Sequence, residues 1–278
     1  MNRYFKLVHL EVYRFRYILF GLMAVTAIVQ IAALLWVSRN EVAQIQAEGV
    51  AANVNRVLFP DEKLSFAWAI FSTQRWFALP ILLSIATLGL YVFLIWYRDW
   101  LGRDTFIYRL LTLPTARRNI FLSKLTAILL FVFGLISFQL ALLPIERILF
   151  NMAVAPDLRE PSPFTDAILA SQVFKRLLPL DRTQFLVSYG FGIIAVLAVF
   201  AAILLERSYR RTGILYGFVY LAACAVAVLY PLYALGLNQA DAYLYPEEVI
   251  AIELAVCLVV AAASIWLSWR LLAKKITV

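Results

Sequence analysis

Residues 17–37 read YILFGLMAVTAIVQIAALLWV, a run of 21 positions without a charged side chain. An α-helix rises about 1.5 Å per residue, so this run covers the roughly 30 Å of a bilayer's hydrocarbon core. In lipid a helix satisfies its own backbone hydrogen bonds, whereas an open strand cannot. The sequence therefore predicts an all-α integral membrane protein, organised as a single transmembrane domain over residues 1–278. Six apolar runs with few or no charged residues predict transmembrane helices at about 17–37, 76–97, 120–144, 185–205, 214–235 and 249–271.

The composition indicates the same class of protein. The chain is 64% hydrophobic and 15% charged, whereas soluble domains have about 45–50% apolar and about 25% charged residues. These values exclude an ordinary soluble globule and a disordered chain. Cys224 and Cys257 both fall inside predicted spans, which disfavours a disulfide framework.

Basic residues are distributed unevenly between the two sets of loops. The N-terminal segment, residues 98–119 with Lys124, residues 206–213 and the C-terminus together hold 16 of the 25 Lys and Arg residues. Because Lys and Arg accumulate on the cytoplasmic side of membrane proteins, we expect this side and both termini to be cytoplasmic in a cell membrane. Topology then accounts for the net charge of +8, and we expect no nucleic acid partner.

Two segments outside the predicted spans show apolar residues at helical spacing. Residues 1–16 combine an apolar side with several cations, which predicts an interfacial amphipathic helix bound to membrane lipids of the inner leaflet. The alternative is a positively charged flank of the first span. Residues 164–178, bounded by a proline cluster and Pro179, are predicted as a helix near the outer surface.

Catalytic and metal-binding motifs are missing from the sequence. His9 is the single histidine, and with two cysteines it leaves too few ligands for the usual zinc site. No glycine-rich phosphate-binding loop is present either. The sequence therefore predicts a protein that is not an enzyme and binds no cofactor itself.

The loop between the second and third spans has an ordered pattern. Asp104 or Thr105 can cap a short helix that ends before Pro114, and Thr115 can cap the helix that enters the third span. Large apolar side chains flanked by cations favour a docking element for another protein. The alternative is a basic loop that only fixes topology. One side of the short helix would carry Phe106, Arg109, Leu110 and Leu113.

The stretch Tyr108–Lys124, YRLLTLPTARRNIFLSK, resembles the permease subunits of ABC-2 type ABC transporters. In that family a Leu-Pro-(Ser/Thr)-x-Arg stretch leads to a Gly/Ser/Ala-Lys pair at the mouth of the third span. Leu113–Arg117 and Ser123-Lys124 match these two parts. The basic N-terminal segment, the six spans and the internal termini also agree. The resemblance implies that Arg103–Leu113 forms a cytoplasmic coupling helix seated in a cleft of a separate ATPase subunit.

Partners also follow from the resemblance. It implies two copies of the ATPase subunit, which hold ATP and Mg²⁺, and a second permease half that is identical or homologous to this chain. The docking side chains expected from this loop are Arg103, Asp104, Phe106, Arg109, Leu110, Leu113, Pro114, Thr115, Arg117, Arg118 and Lys124.

Polar residues inside the spans are candidates for function because they are costly in lipid. Gln139 and Glu253 are placed on a translocation pathway or a dimer seam. The alternative for them, and the favoured interpretation of Gln30, is a hydrogen bond between helices worth about 0.6–2 kcal/mol.

Two functions from different classes fit the sequence. The first is a permease subunit of an ATP-driven exporter of an amphipathic, lipid-like or peptide substrate. The second is a membrane sensor or assembly scaffold whose inner loop docks a different protein. A secondary transporter ranks below both, because neither inverted repeats nor midplane charged sites are evident.

Overall fold

A computed structural model describes residues 3–51, 63–100, 116–179, 181–234 and 245–274. Nearly all of them are helical. Two short strands and one turn of 3₁₀-helix, Pro156–Leu158, join the shorter helices. The elements, in chain order, are α1 (Arg3–Ala51), β1 (Leu64–Ser65), α2 (Phe66–Ser72), α3 (Gln74–Trp100), α4 (Arg117–Ala153), β2 (Arg159–Glu160), α5 (Phe164–Ala170), α6 (Gln172–Leu177), α7 (Arg182–Ser208), α8 (Arg210–Ala234) and α9 (Pro246–Lys274).

Six helices are long and apolar enough to cross a membrane, and each contains one predicted span apart from small differences at the ends. The prediction of an all-α membrane protein with six spanning helices is confirmed at this level. These helices are α1, α3, α4, α7, α8 and α9.

The described residues form two compact units. The first unit takes its residues from Met1–Tyr13, Gly89–Leu129 and Leu186–Val278. The second takes them from Arg14–Leu88 and Leu130–Phe185.

Aromatic packing and small residues hold the first unit together. The Trp96 and Phe200 rings meet edge-to-face with their centroids 5.5 Å apart. The Phe121 ring meets the Phe200 ring in the same way at 5.6 Å. Gly217 lets α8 approach α7 closely, because a Cβ there would lie 2.9 Å from the Ala202 carbonyl oxygen. Between α8 and α9, the Tyr220 hydroxyl and the Ser264 hydroxyl lie 2.7 Å apart.

Short elements build part of the second unit. β1 and β2 pair in parallel, with Leu64 opposite Arg159 and Ser65 opposite Glu160. The Ser65 hydroxyl accepts a hydrogen bond from the Trp68 amide at 3.0 Å and so caps α2. Helix α2 packs on α5.

Helix boundaries differ from the sequence prediction in two places. Residues 3–16 are helical, but they are the first turns of a continuous α1 that also runs past residue 37 to Ala51. The segment 164–178 is helical in two pieces, because Ser171 has an extended backbone that separates α5 from α6. The predicted coupling helix, Arg103–Leu113, lies outside the described residues.

Candidate functional site

Three charged side chains at the helix ends beside the predicted docking loop form ion pairs with one another or with a fourth charged residue on α1. The four residues are Glu11 on α1, Arg98 and Asp99 at the end of α3, and Lys124 in the second turn of α4. We call these four residues the buried charge cluster. All four belong to the first unit.

Lys124 is the centre of the buried charge cluster. Its ammonium donates to Glu11 Oε1 at 2.8 Å and to the Ile95 carbonyl oxygen at 2.8 Å. It also donates to Asp99 Oδ2. An ammonium has three donors, so every proton of Lys124 is taken by the protein. The Trp96 ring lies 5.2 Å from the same nitrogen and adds a cation–π contact.

Arg98 completes the cluster from its edge. Its Nη2 donates to Glu11 Oε2 at 2.7 Å, so that both oxygens of Glu11 accept a hydrogen bond from a cation. The side chain of Arg98 is 35% exposed, whereas those of Glu11, Asp99 and Lys124 are at most 3% exposed. Two acids and two bases make the cluster neutral. Buried charges are tolerated when they are paired in this way, and removing one partner is costly.

Further contacts tie other helix ends to the two helices that flank the loop. The Tyr97 hydroxyl donates to Glu206 at the end of α7, and the Arg207 guanidinium lies 4.8 Å from the Tyr97 ring. At the start of α4, Arg117 Nη1 donates to the Leu272 carbonyl oxygen of α9 at 2.7 Å. The last turn of α3 and the first turns of α4 are therefore anchored to α1, α7 and α9.

Three of the predicted docking residues are described, and the structure places them differently. Arg118 is exposed, Arg117 bonds to the end of α9, and Lys124 has no exposed surface. Lys124 thus bonds α4 to α1 and α3. The remaining predicted docking residues, 103–115, lie outside the described part of the chain.

Sequence reasoning missed Glu11 and Asp99. Glu11 is the only acid in the basic segment 1–16, and that isolation was the available signal. An acid among cations and apolar residues is a candidate for an internal ion pair. Its partner could not be found locally, because Lys124 lies 113 residues further along the chain.

Gln139 forms a reciprocal pair with Gln30 inside the second unit. Gln139 Nε2 donates to Gln30 Oε1 at 2.9 Å, and Gln30 Nε2 donates back at 3.4 Å. Both side chains are buried. This is the hydrogen bond between helices that the sequence left as an alternative for Gln139.

Glu253 borders an apolar cavity of about 170 Å³ between α7 and α9. Its Oε1 accepts a hydrogen bond from the Cys257 thiol at 3.5 Å, and its buried Oε2 has no hydrogen-bond partner among the described residues. A second apolar cavity of about 410 Å³ shares Phe191 and Ile194 with the first. The two cavities present an apolar surface with one carboxylate at its edge.

No three His, Cys, Asp or Glu side chains come together as a metal site in the part of the chain that the structure describes. In the buried charge cluster every charged group already has a protein partner. The cluster therefore holds α1, α3 and α4 together by electrostatic interactions. The chain matches no protein-family model, no curated protein and no solved structure.

Proposed function

We propose that this chain is the transmembrane permease subunit of an ATP-driven exporter, on which a separate ATPase subunit acts through the loop between α3 and α4. The buried charge cluster is the observation that carries the proposal. It joins the helix that leads into the loop, the helix that leads out of it and the N-terminal helix. The resemblance of Tyr108–Lys124 to ABC-2 permeases supplies the identity of the partner.

Force transmission is the physical reason for such a cluster. Lys124 binds Asp99 and the Ile95 carbonyl on α3 and Glu11 on α1. A displacement of the loop then moves the ends of α1, α3 and α4 together, because separating them would leave charges buried and unpaired. A loop with loosely held ends would instead absorb the displacement. ATP hydrolysis in the partner would thereby move the membrane helices between inward- and outward-open states.

The side of the membrane follows from the distribution of cations. The N-terminus, residues 98–119, residues 206–213 and the C-terminus hold most of the Lys and Arg residues. The positive-inside rule favours a cytoplasmic position for these segments, which supports a cytoplasmic ATPase. Arg118 is exposed at the start of α4 and is suited to pair with acids on the ATPase.

A second permease half and the substrate would use the other helices of the first unit. In the most apolar stretch of α8 only 11% of the residues are buried. The corresponding share in the other five spanning helices is 28–33%. This apolar surface is suited to a second permease half, identical or homologous. The cavities beside Glu253 and Phe191 are suited to an amphipathic substrate, because they are apolar apart from one carboxylate.

The test is co-purification with an ATPase encoded beside this chain, followed by coupled ATP hydrolysis and transport. Phe106→Ala combined with Leu110→Ala should remove most ATPase binding, because burial of each such side chain contributes about 1.5–3 kcal/mol. Glu253→Gln is the control and should leave the complex assembled even where transport fails.

Normal binding and coupling by a folded Phe106→Ala/Leu110→Ala variant would show that this loop is not the coupling element. If the wild-type chain binds no ATPase at all, the exporter proposal fails and the sensor or scaffold interpretation gains.

A further inference from the structure

A polar cleft of about 370 Å³ lies in the second unit at the end of α4. Helix α4 contributes Arg147, Phe150 and Asn151 to it, and β2 contributes Arg159. Ser162 lies on the segment that follows β2. We call this the arginine cleft, after the two guanidinium groups that line it.

Both arginines are positioned by their neighbours. The Arg147 guanidinium lies 4.6 Å from the centroid of the Phe164 ring, in a cation–π contact. Arg159 is held opposite Leu64 by the pairing of β1 with β2. The cleft is therefore built by tertiary structure and not by a chance meeting of surface side chains.

Neither arginine has an ion-pair partner among the described residues. The buried atoms Arg159 Nε and Ser162 Oγ also lack a hydrogen-bond partner there. Glu160 lines the cleft but is exposed, and both oxygens of the buried Glu146 accept no hydrogen bond from a described residue. Buried polar atoms nearly always have a hydrogen-bond partner. The arginine cleft therefore has cationic donors to which an anion can bind.

Geometry and location together indicate the kind of anion. The planar fork of a guanidinium matches the oxygens of a phosphate group, and Asn151 and Ser162 add uncharged donors. The apolar side chains of Phe66 and Phe150 also line the cleft. Such a lining fits a phosphate group that carries an apolar remainder.

Helix α4 has 37 residues and is therefore about 55 Å long, well beyond the roughly 30 Å of hydrocarbon that it must cross. Arg147 lies in its last two turns, at a level suited to lipid headgroups. On the same stretch Ile148 is 57% exposed and Met152 is 79% exposed, as expected of a surface that faces acyl chains. We propose that the arginine cleft binds the phosphate headgroup of an anionic lipid, a property that does not depend on the exporter function.

The experiment compares lipids retained by the full chain. The protein is reconstituted in equal parts of phosphatidylglycerol and phosphatidylcholine, extracted, and its bound lipids are counted by native mass spectrometry. The wild type should retain phosphatidylglycerol in excess, and the excess should fall as salt rises. Removing a cation near an anionic lipid should reduce retention about fivefold, so Arg147→Gln with Arg159→Gln should reduce it about 25-fold.

Arg176→Gln with Arg182→Gln is the matched control. It removes the same two charges from exposed positions outside the cleft, and its retention should equal that of the wild type. An equal loss in this control would overturn the proposal in favour of general charge attraction. If the glutamine pair fails to fold, Arg147→Lys with Arg159→Lys keeps the charge but not the fork, and a reduced excess is still expected.

A wild-type protein without any preference for phosphatidylglycerol would overturn the proposal with no variant needed. An arm with inorganic phosphate distinguishes the two sources of the group. If phosphate ions raise the thermal stability of the wild type but not of the glutamine pair, while lipid retention is the same in both, the lipid assignment is wrong.

Discussion

The buried charge cluster and the arginine cleft each contain two cations, but only the cluster pairs its cations with acids of the described chain. In the cluster, Lys124 and Arg98 meet Glu11 and Asp99, so charge is balanced inside the protein. In the cleft, Arg147 and Arg159 have no acid paired with them among the described residues. A balanced set of charges holds structure, whereas an unbalanced set that lines an open cleft is available to a ligand. Loss of a cation should therefore cost much more stability in the cluster than in the cleft.

The largest effect is expected for Lys124→Met. It leaves Glu11 and Asp99 buried without their central cation, and breaking a buried ion pair typically costs about 3–5 kcal/mol. Denaturant unfolding in detergent measures this loss. Lys175→Met, at an exposed position, is the control and should change stability by less than about 0.5 kcal/mol. Equal stabilities of the two variants would show that the cluster does not hold the helices.

A compensated variant sharpens the same point. Glu11→Gln and Asp99→Asn added to Lys124→Met should recover much of the lost stability, because replacing a whole buried ion pair is often neutral. ATP-coupled activity should not recover, if rigid coupling through the cluster is its function. Recovery of both would reduce the cluster to a general stabilising contact.

An intermediate effect on stability is expected for Gln139→Leu, which removes one partner of the uncharged, hydrogen-bonded pair Gln30–Gln139. Gln30 would then be buried with no partner, at a cost of about 0.6–2 kcal/mol. Gln30→Leu with Gln139→Leu should regain most of that, and unfolding curves of the three variants measure the difference. A double variant less stable than either single one would show that the two amides stabilise the unit in another way.

The smallest effect is expected in the arginine cleft. In phosphatidylcholine alone, Arg147→Gln should lose only its contact with Phe164, and a cation–π contact of this kind is worth about 0.5–1 kcal/mol. Thermal unfolding in nanodiscs measures it. In phosphatidylglycerol the difference from the wild type should grow. A large loss without anionic lipid would mean that Arg147 is a structural residue like Lys124.

The sequence predicts the six spans well, because a run of about 20 apolar residues has few alternatives in a membrane protein. The sequence predicts the ends of the helices less well. The first predicted span ends at residue 37, but α1 continues to Ala51 because no proline interrupts residues 38–51. At Ser171 an extended backbone breaks a segment whose apolar spacing indicated one helix.

The charged residues were harder to assign than the spans. The local sequence pattern groups Lys124 with the surface cations. Its two acids, Glu11 and Asp99, lie on other helices, and the pattern does not show that these helices meet. Arg159 depends in the same way on a two-residue parallel strand pair, whose partner Leu64 is distant in sequence. Both sites arise from tertiary contacts, and single-sequence periodicity carries no information about them.

Burial of Lys124 also gives the protein an internal chemical reporter. Amine-acylating reagents react with exposed lysines such as Lys6 and Lys175, while the ammonium of Lys124 has no accessible surface and three hydrogen bonds. Acylation of Lys124 therefore requires the helix ends to separate. The rate at which its mass tag accumulates, relative to Lys6 and Lys175, measures how often the ends of α1, α3 and α4 come apart, and whether a working cycle opens them at all.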